Sequence, residues 1–192
     1  MIEMKLKRTA LRWDFSFFAV LAVFFWLDSS GFGLTALSLC AAHELAHLAV
    51  MRVFGIVPES VTFYGAGIRI SSSEVESCSP AVQAAVYSAG CVLNLLLAGV
   101  LWQFAPLREA AAVSLLTGAF NLLPVGEFDG RRLLKLLFIA RLKPENVDGA
   151  LRLCGIISAA VCTAVVIFFG RGAGFTLTTT MIYLLIMSLR RV

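Results

Sequence analysis

The stretch GLTALSLCAAHELAHLAVMRVF, Gly33 to Phe54, decides how the rest of the chain is read. It is an apolar run of the length that crosses a bilayer core, which takes about 20 residues per helix. Yet its middle holds His43, Glu44 and His47, and these are the chain's two histidines and one of its eight glutamates. On a helix, residues four apart share a face, so both imidazoles can point at one ion. Glu44 is turned about one hundred degrees from His43, placed for a metal-bound water rather than the metal. A carboxylate near mid-bilayer costs roughly 2.5–3.5 kcal/mol on insertion scales and marks function by default. Random placement of these residue types yields H-E-x-x-H less than about one time in a thousand. The plain alternative is a polar patch between packed helices.

Working outward, the whole chain resembles this stretch. Of 192 residues, 59% are hydrophobic and 15% charged, and mean hydropathy is +0.89. A soluble domain carries about 45–50% apolar and about 25% charged residues. These figures exclude disorder, coiled coil, a disulfide scaffold and a soluble zincin, and they imply an integral membrane protein. Six candidate spans follow: Leu11–Leu27, Gly33–Phe54, Ala81–Phe104, one from Arg108 interrupted at Asn121-Leu-Leu-Pro-Val-Gly, Ala150–Phe169 and Gly174–Leu189. The fold expected is an all-α membrane protein with about six transmembrane helices. A short β-strand region within Val61–Ile70, β-branched and aromatic, should lie at the cytoplasmic face. Residues 1–192 read as one domain. No Ala-x-Ala signature follows the basic start and first apolar run, so a retained helix is expected rather than a signal peptide.

Basic residues orient the plan. With the N-terminus inside, 14 of the 16 lysines and arginines fall on cytoplasmic segments and only Arg108 and Arg171 outside. This positive-inside bias places both termini in the cytoplasm of a multi-pass cell-membrane protein, and it explains the net charge of +4 without nucleic acid. The five cysteines are odd in number with no C-x-x-C pair, and they read as buried free thiols.

A catalytic zinc site uses three protein ligands plus water. Zinc lowers that water's pKa toward about 7, and Glu44 is the candidate general base. Both histidines are spent, so the third ligand must come from elsewhere. Asp129 and Glu127, just after the interruption in the fourth span, are the candidates. The alternative for either is a helix N-cap ahead of Arg131 and Arg132.

At this point the motifs resemble a known family. His43-Glu-Leu-Ala-His47 followed by Asn121-Leu-Leu-Pro-Val-Gly-Glu-Phe-Asp129-Gly130 is similar to the paired motifs of the site-2 proteases, intramembrane zinc metalloproteases. Ala89-Gly90-Cys91-Val92-Leu93-Asn94 resembles a further signature, Ala-Gly-Pro-x-x-Asn. Phe63-Tyr64-Gly65-Ala66-Gly67 resembles the glycine-containing strand region near the active site. The resemblance covers about Gly33 to Arg141. It implies Zn2+ held by His43, His47 and Asp129, with Glu44 catalytic. It also implies regulated intramembrane proteolysis of a transmembrane or membrane-associated protein, and the six-span plan fits the sporulation branch that processes a pro-sigma factor. A pro-sigma or anti-sigma factor is thus the kind of substrate implied, in a bacterial membrane. Cys91 stands where the family has Pro, Glu127 replaces the second Pro of the motif, and Phe128 replaces Leu. No PDZ or CBS (cystathionine-synthase-type) domain is expected.

Irregular backbone at membrane depth needs protein or a wet cavity to satisfy it. The Asn121–Gly130 break should therefore line the zinc site and bring Asp129 toward the histidines. Asn94 and Asn121 are candidates to hold the unwound substrate backbone or the oxyanion. Tyr64, Gly65 and Gly67 belong to the strand region expected to pair with an extended substrate. A metal-binding membrane transporter or a non-catalytic adaptor is the alternative. The first should scatter more polar ligands over several helices, and the second should have lost Glu44.

Overall fold

The computed structural model describes residues 1–169 apart from 7, 29, 30 and 66, and the chain divides into two units, residues 1–119 and residues from 120 onward. The sixth expected span, Gly174–Leu189, lies outside the described residues.

The first unit opens with strands. Ile2-Glu-Met-Lys-Leu6 alternates apolar and charged side chains, the period of a strand, and forms β1. It pairs antiparallel with β2, Thr9–Trp13, with Glu3 opposite Arg12, whose Nε donates to the Glu3 carboxylate at 3.1 Å. β2 runs parallel to β3, Ser60–Tyr64, and β3 turns back antiparallel into β4, Gly67–Ser71. Stacking of Trp13 on Phe63, ring centroids 5.6 Å apart, ties the parallel pair together. The expected strand region at Val61–Ile70 is thus one hairpin of a four-stranded sheet of order β1-β2-β3-β4. β1 and β2 come from residues read as a basic tail and the start of the first span.

That span is corrected accordingly. Residues 11–13 are strand, and helix α1 covers only Phe15–Leu27, 13 residues. At 1.5 Å per residue it rises about 20 Å, short of a bilayer core of about 30 Å. Asp14 starts it as N-cap, its Oδ1 accepting from the Ser16 amide at 2.8 Å. Those hydrogen bonds hold the Asp14 carboxyl below its ordinary value.

Helix α2, Phe32–Val53, follows. After the hairpin come a one-turn helix α3, Ser73–Ser77, and helix α4, Pro80–Leu101. Ser79 caps α4 and Pro80 occupies its first position, where no amide hydrogen is missed. A short 3-10 turn at Ala105–Leu107, around Pro106, ends that passage, and helix α5 runs Arg108–Asn121. In the second unit the helix breaks where Pro124 predicts it, and resumes as α6, Asp129–Ile139, and α7, Pro144–Phe169. α7 begins six residues earlier than expected. Among the described residues three helices are long and apolar enough to cross a membrane: Gly33–Val53, Pro80–Leu101 and Pro144–Val165. Six spans are therefore not what the described residues show. Leu45, Leu96, Val100 and Ile157 stand exposed on these helices, as membrane-facing residues must.

Candidate metal centre

α2 packs on α4 through a stripe at four-residue spacing: Leu39, His43, His47 and Met51, all buried. Leu45, on the opposite face, is 62% exposed. The two histidines therefore sit in the middle of a helix seam, closed by apolar residues on either side. Glu44 is half-buried beside them. The facing stripe on α4 is Val86, Gly90 and Asn94.

The His43 and His47 Nε2 atoms lie 3.1 Å apart. Two nitrogens on a tetrahedral zinc at 2.0–2.1 Å each stand about 3.3 Å apart, so these rings need to move by only about 0.2 Å to share one ion. Tautomers matter as much as distance. His47 Nδ1 is 2.7 Å from the Val86 carbonyl oxygen. A carbonyl only accepts, so Nδ1 carries the proton and Nε2 presents its lone pair. His43 Nδ1 meets the Asn94 amide at 3.3 Å.

Gly90 explains how α4 comes so close. A Cβ there would stand 2.5 Å from His43 Nε2 and Cδ2 and from His47 Nε2. The absence of a side chain is what leaves the ligand atoms room. Behind α4, Ser114 of α5 donates to the Asn94 carbonyl at 2.9 Å, and Gly118 lets Asn94 approach.

Of the residues the sequence nominated, His43, His47 and Asn94 come together around one point, with Glu44 on the same helix. Asn121 ends α5 and Asp129 opens α6, both within the second unit. There the cap of α6 is Phe128, without a side-chain cap bond, so Asp129 is the first helical residue and not a cap. Glu127 is exposed and does not cap either. The break is compact. Gly126 has φ 56°, and Gly130 is crowded against the Leu122 backbone carbonyl, where no Cβ fits.

The hairpin residues sit in the sheet, which touches α2 through β4. Tyr64 pairs with Gly67 across the turn, and Gly67 has φ 137°, open to glycine. Gly65 donates its amide to the Ser16 Oγ at 3.0 Å and packs on α1, so its lack of a side chain has a local cause. Arg69 stands over the Tyr64 ring at 5.2 Å. Of the two hairpin strands it is β4 whose outer edge is unpaired among the described residues, because β3 is paired on both sides.

Sequence reasoning missed three contributors. Val86 acts through its backbone and leaves no side-chain signal. Gly90 was quoted only as part of a signature. Cys91 was singled out only as standing where the family has Pro, yet its thiol lies within 4.8 Å of a His43 ring nitrogen. All five cysteines are free, as expected, but only Cys91 is buried.

No family model matches the chain. A protein known as "Putative zinc metalloprotease Rip3", from two strains of Mycobacterium tuberculosis, is 35% identical over 127 residues, which is 59% of this chain and 32% of that protein. The chain thus spans about a third of the length of the curated relative it matches. Among solved structures, the site-2 protease from Methanocaldococcus jannaschii superposes with a TM-score of 0.68 at 17% identity, covering 100% of this chain and 96% of that one. That likeness carries the fold, the other carries sequence, and on both the resemblance of this chain to the site-2 protease family stands.

Proposed function

We propose that this chain is an intramembrane zinc endopeptidase that cleaves membrane-spanning or membrane-associated proteins. The observation that carries the reading is the pair of imidazoles on one face of a membrane-length apolar helix, 3.1 Å apart, with the His47 tautomer fixed for metal binding. A soft-to-borderline site of nitrogen donors suits Zn2+, and a zinc metalloprotease relative supports that choice. His43, His47 and Asp129 are the ligands in this reading. The bound zinc would supply Lewis acidity toward a water and a peptide carbonyl.

The chain's own residues do the rest. Glu44 takes the proton of the attacking water and returns it to the leaving amine. Asn121 holds the unwound substrate backbone or the oxyanion. A peptide bond within a helix is shielded by its own hydrogen bonds, so the substrate must be extended locally. The outer edge of β4, reached past the turn of Tyr64, Gly65 and Gly67, is the pairing strand in this account. On the six-span plan read from the sequence, whose fourth span starts near Arg108 and is interrupted at Asn121-Leu-Leu-Pro-Val-Gly, fourteen of sixteen basic residues fall on one side. That supports cytoplasmic termini and cleavage near the cytoplasmic face of a bacterial membrane. A pro-sigma factor is the substrate kind that the sporulation-branch resemblance favours.

Co-expression with single-span candidate substrates tests the reading, comparing wild type with Glu44→Gln. The variant should keep zinc and lose cleavage by at least about a hundredfold, the scale of general-base catalysis. Wild-type cleavage in that variant overturns the mechanism.

A further inference from the structure

Strand register sorts the side chains of the sheet onto two faces, because residues paired across strands point the same way and neighbours along a strand point oppositely. Ile2 pairs with Trp13, Met4 with Leu11, Trp13 with Phe63 and Phe63 with Ile68, so one face is apolar from edge to edge. The other carries Glu3, Lys5, Arg12, Thr62 and Arg69. Cover on the apolar face is uneven. At β3 it is closed: Val61 is buried, and Phe17 of α1 lies on Phe63 with ring centroids 5.4 Å apart. At β1 it is open, with Ile2, Met4 and Leu6 all at least half exposed. An outer strand with a row of bare apolar side chains is an aggregation hazard in water.

Helix α1 identifies what covers that row. It has no charged residue from Phe15 to Leu27, and Phe15, Phe18, Val20, Val23, Phe25 and Trp26 are exposed. A helix this apolar and this exposed stands in lipid. Because α1 packs on the apolar face of the sheet, the bare part of that face continues a lipid-bathed surface. The backbone then sets the depth. β1 is an outer strand, and an open sheet edge is not tolerated in hydrocarbon. The strand therefore lies at headgroup level, with its apolar side chains dipping about 5–10 Å toward the acyl chains, as those of interfacial helices do. Trp13, stacked on Phe63 in the same face, has the amphipathic ring that favours this level.

The polar face fits the same surface. A shallow groove on it is lined by Lys5, Arg8 and Arg12 together with Glu3 and Glu59. Glu3 is engaged by Arg12 and Glu59 by Ser73, so the excess charge of the groove is that of Lys5 and Arg8, both exposed. We propose that the β1–β2 pair is an interfacial anchor: Ile2, Met4 and Leu6 enter the acyl boundary while Lys5 and Arg8 bind the phosphates of anionic phospholipids. The role involves no metal and does not depend on the zinc reading. An anchored β1 holds the whole sheet at one depth, including β4, which touches α2.

The test uses the full chain in lipid nanodiscs. Benzoylphenylalanine in place of Met4 or Leu6, photolysed in mixed phosphatidylcholine and phosphatidylglycerol, should give phospholipid adducts by mass spectrometry. They should be at least about fivefold more abundant than with the same probe in place of Lys5. Equal adducts at Lys5 overturn the proposal, and so does a cross-linked dimer in place of lipid adducts, which assigns the face to a second copy. The headgroup contact is read with the apolar residues intact. Backbone amide exchange of residues 2–6 should slow by about fivefold for each of Lys5 and Arg8 when phosphatidylglycerol is added to phosphatidylcholine. Lys5→Gln combined with Arg8→Gln should remove that difference while α4 exchanges as in wild type. Wild-type exchange indifferent to lipid charge, or a difference that survives both substitutions, overturns the proposal.

Discussion

Replacing Gly90 by alanine adds one methyl group, and the structure says what it meets. The new carbon would lie 2.5 Å from the Nε2 atoms of both His43 and His47, about 1 Å inside ordinary contact. Those nitrogens are 3.1 Å apart. A zinc ion bonded to both at about 2.05 Å lies on a circle of about 1.3 Å radius around their midpoint. The methyl carbon lies on a coaxial circle of about 2.0 Å radius, so the two are never more than about 3.3 Å apart. Wherever on its circle the ion sits, the methyl carbon stays about 1 Å too close to both nitrogen ligands, so the rings cannot keep the places from which they would share one ion. Relief requires the rings or helix α4 to shift by about 1 Å, whereas metal–ligand distances tolerate about 0.2 Å. Zinc affinity should fall at least a hundredfold, about 2.8 kcal/mol. Gly99→Ala is the matched control. It lies on the same helix, gains the same helix propensity, and meets nothing within 4 Å. Chelator competition on the two purified variants is the assay. Gly90→Ala binding zinc within threefold of Gly99→Ala would refute the reasoning.

Two further outcomes are expected. Asp129→Asn should lose zinc by at least tenfold while Glu127→Gln retains it, because Glu127 is exposed and Asp129 is not committed to capping α6; metal content after dialysis reads the difference, and the reverse order reassigns the third ligand. Outside the membrane-spanning helices, Ser73 donates its hydroxyl and then its amide to Glu59, which holds that carboxyl below its ordinary value of 4.5. A depressed carboxyl stabilises the fold above about 4.5 and loses that contribution as pH falls through its lowered value. Ser73→Ala removes the larger cause, so the Glu59 midpoint should rise toward 4.5 in a carboxyl NMR titration, and the part of the hairpin's acid sensitivity that Glu59 contributes should shrink. An unmoved midpoint excludes the hydroxyl as the cause.

The parts of this molecule legible in its sequence are those fixed by period and composition. α2 and α4 come within a few residues of expectation because a bilayer-length apolar run admits one backbone solution. The break after Asn121 follows from Pro124, and the shared face of His43 and His47 from helical geometry alone. β1 was missed, although Ile2, Met4 and Leu6 alternate with Glu3 and Lys5, because a basic start before an apolar run reads more readily as a flank. β2 was hidden inside that run, and its parallel pairing with β3 brings together residues about fifty apart, which no local pattern encodes.

The metal site divides along the same line. Ligands are side chains and announce themselves; the groups that set them are not so visible. The Val86 carbonyl fixes His47, yet any residue at that position offers a carbonyl. Gly90 matters through the side chain it lacks, a fact that exists only once α4 lies on α2. Asn94 was nominated for substrate, and its side chain meets His43, a contact that no sequence pattern shows. α4 carries none of the nominated ligands, and still it decides whether two imidazoles at the right spacing present two lone pairs to one ion. A helix bearing H-E-x-x-H specifies where a metal can go; the helix packed against it supplies the carbonyl that orients His47 and, at Gly90, the room beside both ring nitrogens.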